Sequence, residues 1–192
     1  MNRITFDIDI DFPDRDRALS YVGHIPASIV KDGVYTKHTT GVYPTDIPTD
    51  PITGLSSIDY VTAENMGYMK LDMLNVSVYE QVRDEDHLTT LMNTEPMWEM
   101  LSYREFVEQV IHINGQYDIL RKLPEPVNSI PRMAMFISAI RPAKRHLLGK
   151  PWKEVAMEVW KKPTDGGYYY KRSHAISYSM LVAVHMNLLC GI

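Results

Sequence analysis

Apolar and acidic side chains alternate near the start of the chain, where residues 6–12 read Phe-Asp-Ile-Asp-Ile-Asp-Phe. Because successive side chains of a β-strand point to opposite faces, Asp7, Asp9 and Asp11 would share one face and the apolar side chains the other. Neighbouring carboxylates would lie about 6.6 Å apart, and each pair would repel by on the order of 2 kcal/mol at an effective dielectric of about 20. The pattern predicts a strand whose acidic face binds a divalent cation, or else a solvated edge strand whose charges discourage aggregation.

A second alternating segment, residues 66–74, predicts another strand with one apolar face and one polar face. The polar face carries Lys70 and Asp72. If the two strands pair, Asp72 joins Asp9 and Asp11, and Lys70 supplies a cation for phosphate. Three carboxylates on adjacent strands can hold two metal ions about 4 Å apart, as in-line phosphoryl and nucleotidyl transfer requires.

The remainder of the chain shows mainly helical periodicity, interrupted by loops that contain proline. Residues 43–54 contain three prolines and are expected to form a loop. Helices are expected over residues 14–22, 76–92, 96–113, 116–123 and 130–140, from residue 151 onwards, and finally from the N-cap Ser173.

Charge is distributed unevenly along the chain, although the net charge is only −4. Residues 1–120 hold 8 Lys and Arg against 20 Asp and Glu, whereas residues 121–172 hold 12 against 4. An acidic part that can bind metal ions and a basic part that can bind a phosphate backbone suit a protein that acts on nucleic acid. Chance clustering of charges on solvated helices is the alternative explanation.

Size and composition indicate a cytoplasmic protein that has no membrane segment. The 192 residues, of which 45% are apolar, suit one domain, or one domain with a helical appendage. The single cysteine, Cys190, precludes an internal disulfide and fits a reducing compartment. No signal peptide opens the chain, and the apolar run over residues 176–189 is too short to cross a bilayer.

Five sequence blocks, in this order, resemble the bacterial DNA polymerase III alpha subunit, the C family of DNA polymerases. The resemblance extends from Asp7 to about Leu189, and its specificity lies in the order of the blocks. The blocks are Asp7 to Phe12 followed by Asp14-Arg15-Asp16-Arg17; His38-Thr39-Thr40-Gly41-Val42; Asp59, Glu64, Gly67, Lys70, Asp72 and Leu74; Arg141-Pro142; and Lys171-Arg172-Ser173-His174-Ala175.

The resemblance implies an α+β fold, in which a small mixed sheet of nucleotidyltransferase (polymerase palm) type carries helices packed against it and precedes a helical C-terminal half. Residues 1–95 would be the acidic palm half, and residues 96–192 a helical, basic half that completes the palm and fingers of one compact domain. Several family features have no counterpart here. They are a Gly-Ser-rich nucleotide-binding segment, a long helical insertion replaced by the 25 residues from Pro13 to Lys37, and the flanking phosphoesterase-like, clamp-binding and duplex-binding domains.

The resemblance also implies an activity and a set of site residues. The chain would be a DNA polymerase core that joins deoxynucleoside triphosphates to a primer 3′-hydroxyl, with two Mg²⁺ ions held by Asp9, Asp11 and Asp72. Nucleotide or phosphate binding is expected of Lys70, His38, Arg141, Lys171, Arg172, Ser173 and His174. DNA binding is expected of Arg145, Lys150 and Lys153.

Alternatives remain at the level of residues and of function. Lys70 could instead form a salt bridge to the aspartates, and His38 could be a structural histidine. The expected partners are primer-template DNA, deoxynucleoside triphosphates, and another replication protein or a second copy of the chain; the compact size would suit a viral replication protein in a bacterial host. The rival functions are a non-catalytic palm relative that binds DNA or a replication protein, and a template-independent nucleotidyltransferase.

Overall fold

The computed structural model of the chain describes residues 8–164 and 167–192. Asp7, which the sequence assigns to the acidic face, lies outside the described residues. Contacts between Cα atoms divide the chain into two compact units, Met1–Gln81 and Val82–Ile192. The predicted division into an acidic palm half and a basic helical half at residue 95 concerns function and stays a prediction.

The first unit contains a mixed β-sheet of four strands among its described residues. Strand order is β1-β4-β3-β2, in which β1 pairs parallel to β4 and the other two pairings are antiparallel. The elements in chain order are β1 (Ile8–Phe12), α1 (Arg15–Ser20), β2 (Ile25–Lys31), β3 (Val34–Tyr43), α2 (Tyr60–Met66), β4 (Leu71–Asn75) and a 3-10 helix (Ser77–Gln81). This sheet with its helices confirms the predicted α+β class.

Both faces of the sheet are covered, but unevenly. On one face Val42 and Met73 pack with Leu19 of α1, and on the other face Tyr43 and Ala27 pack with residues that include Ala63 of α2. Strand β1 lies at the sheet edge, and the side chains of Ile8 and Ile10 are 36% and 37% exposed. The apolar face of β1 is therefore only partly covered.

In the first unit, one local expectation is wrong and one pair of strands was not predicted. Residues 66–74 are not all strand, because α2 begins after the N-cap Asp59 and ends where Gly67 adopts a left-handed conformation (φ 96°), so that only Leu71–Asn75 is β-strand. The hairpin of β2 and β3 was not predicted. Its two-residue turn is Asp32-Gly33, where φ is positive at both positions, and an Asp-Gly pair between strand-like runs is the usual signal for such a turn.

The second unit consists of helices around one apolar core. The elements are α3 (Glu85–Asn93), a 3-10 helix (Trp98–Ser102), α4 (Arg104–Val107), α5 (Tyr117–Leu120), α6 (Ile130–Ala139), a 3-10 helix (Pro142–Leu147), α7 (Trp152–Glu158) and α8 (Arg172–Leu189). Helices α6 and α8 pack together, and the buried core includes Met133, Phe136, Val182 and Met186. No helix in the described part of the chain is long and apolar enough to cross a membrane.

Polar side chains tie the helices of this unit to one another. The amide of Asn187 in α8 donates hydrogen bonds to the backbone carbonyls of Leu91 and Thr94, each at 2.9 Å. The ring nitrogen Nδ1 of His185 accepts a hydrogen bond from the backbone N–H of Ile111 at 3.1 Å. The contacts of Asn187 satisfy carbonyl groups at the C-terminal end of α3, which lack intrahelical partners, and that of His185 satisfies an N–H group in the turn after α4.

Helix boundaries in the second unit depart from the sequence expectation at three places. The single helix expected over residues 76–92 is interrupted, because the carboxylate of Asp84 caps a new helix by accepting a hydrogen bond from the N–H of His87 at 2.8 Å. The helix expected over 96–113 is a 3-10 helix, a short α-helix and turns. The N-cap of α8 is Lys171 rather than Ser173, and no side chain caps it.

Candidate metal and phosphate site

Two of the predicted metal ligands are direct neighbours across the sheet. Asp9 in β1 is the register partner of Asp72 in β4, and Asp11 lies two residues further along β1, opposite Leu74. Partners in adjacent strands project to the same face, and adjacent strands lie about 4.8 Å apart. The structure therefore places Asp9, Asp11 and Asp72 on one face of two neighbouring strands.

Negative charge accumulates on this face. The pKa of Asp11 is raised, first by burial and then by the negative charge of Asp9. Both effects disfavour the ionised form of the carboxyl group, and a bound cation would offset both. The electrostatics of β1 thus favour a cation near its two carboxylates.

Asp72 is held by contacts to both of its carboxylate oxygens. The hydroxyl of Thr40 donates a hydrogen bond to Oδ1 at 2.6 Å, and the ammonium of Lys70 forms an ion pair with Oδ2. The side chains are largely buried, with 15% of Asp72 and 19% of Lys70 exposed. The salt bridge considered as the alternative role of Lys70 is therefore present, and its contact with a triphosphate stays a prediction.

Gly41 provides the space that the Lys70 side chain occupies. It is the register partner of Asp72 on the β3 side of β4. A Cβ atom at position 41 would lie 2.8 Å from Cδ of Lys70, 2.9 Å from Nδ1 of His38 and 3.1 Å from Cβ of Ala27. Real Cβ contacts are almost never as short as the first two. A glycine here leaves room for the lysine stem to lie against β3 while its ammonium contacts Asp72.

His38 is oriented by the backbone that follows it. Its Nδ1 atom accepts hydrogen bonds from the N–H groups of Gly41 at 2.9 Å and Thr40 at 3.3 Å, and its ring meets that of Tyr60 edge-on at 5.1 Å. Burial lowers the pKa of His38, and so does the charge of Lys70, while Asp72 opposes them. Since Nδ1 accepts two hydrogen bonds, its 3.8 Å approach to Asp72 is not an ion pair. This geometry is that of a structural histidine.

Thr40 is a site residue that the sequence did not identify. The pairing of β2 with β3 shifts register between Pro26 and Ser28, so that residues 38–41 bulge opposite Ala27. Strict alternation would place Thr40 and Gly41 on opposite faces, and the bulge is what allows Thr40 to reach Asp72. From the other side of the backbone, the guanidinium of Arg15 donates a hydrogen bond to the carbonyl of Thr40 at 3.4 Å.

A cavity of about 350 Å³ lies beside Arg15, and Thr40 and Asn75 contribute to its wall. Three acidic residues, Asp14, Asp16 and Glu80, also line it. An acidic lining of this kind repels phosphate, so the cavity does not suit a triphosphate.

In the second unit, aromatic rings hold Arg141 next to the start of α8. Its guanidinium lies 4.3 Å from the ring centroid of Tyr170, which in turn contacts Tyr178 of α8 at 5.3 Å. The ring of His174 lies 6.4 Å from that of Tyr178. Arg141 and His174 thus belong to one cluster, and the phosphate binding expected of each stays a prediction.

The other basic residues of this unit differ in exposure. Lys171, Arg172 and Ser173 at the start of α8 are exposed, as are Arg145, Lys150 and Lys153. Arg145 also donates a hydrogen bond from Nε to the carbonyl of Ile140 at 3.1 Å, which fixes its direction. Lys144, by contrast, is buried and donates to the carbonyl of Glu158 at 2.9 Å.

A preformed metal site is not seen: the described residues contain no group of three or more His, Cys, Asp or Glu side chains arranged to hold a metal ion. Asp72 shares a face with Asp9 and Asp11, but its carboxylate is engaged by Lys70 and Thr40. Comparisons with known proteins do not identify the chain, since no family model, curated protein or solved structure matches it.

Proposed function

We propose that the first unit is the catalytic palm of a C-family DNA polymerase, which joins deoxynucleoside triphosphates to the 3′-hydroxyl of a primer. The observation that carries this proposal is the register of β1 and β4, which sets Asp9 beside Asp72 and keeps Asp11 on the same face. Two independent alternating segments of the sequence meet here in the register that a shared carboxylate site needs.

The residues fit magnesium by their chemistry. All three candidate ligands are carboxylates, which are the oxygen donors that Mg²⁺ prefers, and burial with repulsion from Asp9 raises the pKa of Asp11. A pair of Mg²⁺ ions would lower the pKa of the attacking hydroxyl and neutralise charge on the leaving pyrophosphate.

The protein's own side chains then have distinct roles. Thr40 orients Asp72 through its 2.6 Å hydrogen bond. Lys70 places a positive charge on the same face, where an anionic triphosphate would approach. Gly41, which has no side chain, leaves the space that the stem of Lys70 occupies.

The second unit would contribute the contacts to phosphate. Arg141, held against Tyr170, and the exposed cations Lys171 and Arg172 at the start of α8 would bind phosphate groups of a nucleotide or of DNA, assisted by the N-terminal end of that helix. We call the exposed residues Arg145, Lys150 and Lys153 the DNA set. They would bind the duplex through its phosphates.

The test is Mg²⁺-dependent primer extension by the purified chain and its aspartate variants. Asp9→Asn, Asp11→Asn and Asp72→Asn should each lower incorporation by at least about 10³-fold, because each removes a metal ligand without changing side-chain size. Asp32→Asn is the matched control, since Asp32 lies in the exposed β2–β3 turn and asparagine tolerates its positive φ of 52°. Retention of activity by Asp72→Asn would contradict the proposal.

The second candidate function is a non-catalytic palm relative that binds DNA or a replication protein. It is favoured by one observation, namely that Asp72 is already paired with Lys70 and hydrogen bonded to Thr40. Salt-sensitive DNA binding with no incorporation under any metal condition would support this function over the first.

A further inference from the structure

We propose that Lys70 is a displaceable counter-ion of the sheet face that carries Asp9, Asp11 and Asp72, which we call the carboxylate face. In this proposal its ammonium occupies Asp72 until a divalent cation takes its place, and the released ammonium then becomes available to the anionic substrate. The inference rests on the proposed function, because it concerns how the same carboxylates change from a closed to a metal-binding arrangement.

The carboxylate of Asp72 shows why a displacement is needed. Lys70 occupies Oδ2 by an ion pair, and Thr40 occupies Oδ1 by a hydrogen bond of 2.6 Å. A hydroxyl donor leaves lone pairs of its oxygen available to a metal ion. An ammonium does not leave its oxygen available in the same way, because a monovalent and a divalent cation a few ångströms apart repel each other.

The described residues contain no preformed group of three or more metal-ligating side chains. The backbone register already places Asp9 and Asp72 side by side. The ion pair of Asp72 with Lys70 is one feature that separates this arrangement from a metal site.

The path of the Lys70 side chain limits where its ammonium can go. The stem lies against Gly41, with Cδ only 2.8 Å from the position that a Cβ atom would take there. The bonds beyond Cδ can still rotate. The ammonium lies 5.8 Å from the ring centroid of Tyr60, within the range of a cation–π interaction. A lysine displaced from Asp72 therefore remains on the carboxylate face.

The displacement has two opposite consequences for variants that lack this cation. Removing the ammonium should strengthen binding of a divalent cation in the absence of nucleotide, because the competitor is gone. The same change should weaken incorporation, because the triphosphate loses a positive partner. A lysine that only stabilised the fold would produce neither the tighter metal binding nor this split.

The experiment measures Mn²⁺ binding to the full chain without nucleotide, by the electron paramagnetic resonance signal of free Mn²⁺. Lys70→Gln should bind Mn²⁺ at least about tenfold more tightly than the unaltered chain, since a neighbouring positive charge is removed. Lys70→Arg should bind like the unaltered chain, and Asp72→Asn should lose most of the binding. The control for net charge is Lys31→Gln, an exposed lysine of β2, whose change should be less than about twofold because solvent and salt screen distant charges.

A second measurement uses the unaltered chain and so does not depend on the folding of a variant. Acetylation of individual lysines, followed by mass spectrometry, reports how accessible each amine is. Lys70, which is 19% exposed and paired with Asp72, should be acetylated severalfold faster when Mg²⁺ is added. The rate at Lys31 should not change.

The outcomes separate this inference from the proposed function. If Lys70→Gln binds Mn²⁺ no more tightly than the unaltered chain, while Asp72→Asn has lost binding, the displacement is refuted and the metal site stands. Equal tightening in Lys70→Gln and Lys31→Gln would refute it as well, because the effect would be one of net charge. Absence of Mn²⁺ binding in every variant would overturn both proposals.

Discussion

Replacing Gly41 with alanine should destabilise the first unit by about 1–2 kcal/mol. The added Cβ would lie within 3.1 Å of three atoms, on Lys70, His38 and Ala27. The lysine stem can move, but the other two neighbours cannot easily do so. The ring of His38 is held by two backbone N–H groups and by Tyr60, and Ala27 is fully buried.

The magnitude follows from two opposing effects. Overpacking of a filled site costs about 1–3 kcal/mol, whereas a glycine-to-alanine change recovers about 0.4–1 kcal/mol by restricting the unfolded chain. Gly23→Ala is the matched control, because a Cβ there meets no heavy atom within 4 Å and its φ is not in the left-handed region. The control should keep or slightly raise stability.

The assay must report on the first unit alone. All three tryptophans of the chain, Trp98, Trp152 and Trp160, lie in the second unit, so their fluorescence follows the other unit during urea unfolding. Amide hydrogen exchange in peptides that cover β3 and β4 reports on the sheet. Gly41→Ala should accelerate exchange there while the tryptophan transition stays unchanged. Exchange as slow as in Gly23→Ala would refute the close approach of Lys70 and His38 to Gly41.

Three further predictions concern DNA, pH and assembly. Charge reversal of the DNA set to glutamate should weaken DNA binding and flatten its salt dependence more than reversal of the exposed control residues Arg17, Lys31 and Lys37. Fluorescence anisotropy at several salt concentrations measures both effects. Equal effects of the two reversals would show that the basic segment has no special part in binding. Burial, followed by the charge of Arg141, lowers the pKa of His112 to about 4 from 6.5. Because the unfolded chain then takes up the proton first, stability of the second unit should be full above pH 6.5 and fall as the pH drops towards 4. The fall should be about 2 kcal/mol, less than the full shift would give, because solvent screens this partly exposed ring. His112→Asn, which tolerates the positive φ of 65°, should remove that part of the pH dependence, and an unchanged profile would contradict it. Finally, the isolated chain should extend primers distributively and need a protein partner or a second copy for long products; single-encounter extension that gives long products from a monomer would refute this.

Short-range signals in the sequence predicted those elements whose ends are set by local chemistry. Asp14 caps α1 by accepting from Arg17 at 3.0 Å, and Ser129 caps α6 by accepting from Arg132 at 3.4 Å. Pro151 begins α7 as expected. The same local rules locate Asp84 and Asp59 as caps, and applying them more strictly would have divided the helix expected over 76–92 and revealed α2.

Long-range pairing was less accessible to sequence reasoning. Alternation in β1 predicts two faces but not how much of the apolar face the helices cover, which depends on β1 lying at the sheet edge beside β4. The bulge in β3 depends on the register of a hairpin whose turn, Asp32-Gly33, is visible but whose pairing is not. Thr40 reaches Asp72 only because of that bulge, so its role could not be predicted from strand periodicity.

In the candidate site, too, some features follow from the order of the residues and others depend on contacts between distant parts of the chain. That Asp9, Asp11 and Asp72 share a face follows from period-two alternation in two segments together with one pairing, and each of these can be inferred from residue order. The partner of Lys70 cannot be inferred in this way. A spacing of two residues places Lys70 on the face of Asp72 but does not show whether its ammonium contacts that carboxylate or a substrate phosphate. The absence of a side chain at Gly41 lets the lysine stem lie close against β3, and its ammonium contacts Asp72. The ion pair neutralises the charge of Asp72, while β1 keeps its two carboxylates. In the displacement that we propose, a divalent cation bound by Asp9 and Asp11 would compete with Lys70 for Asp72.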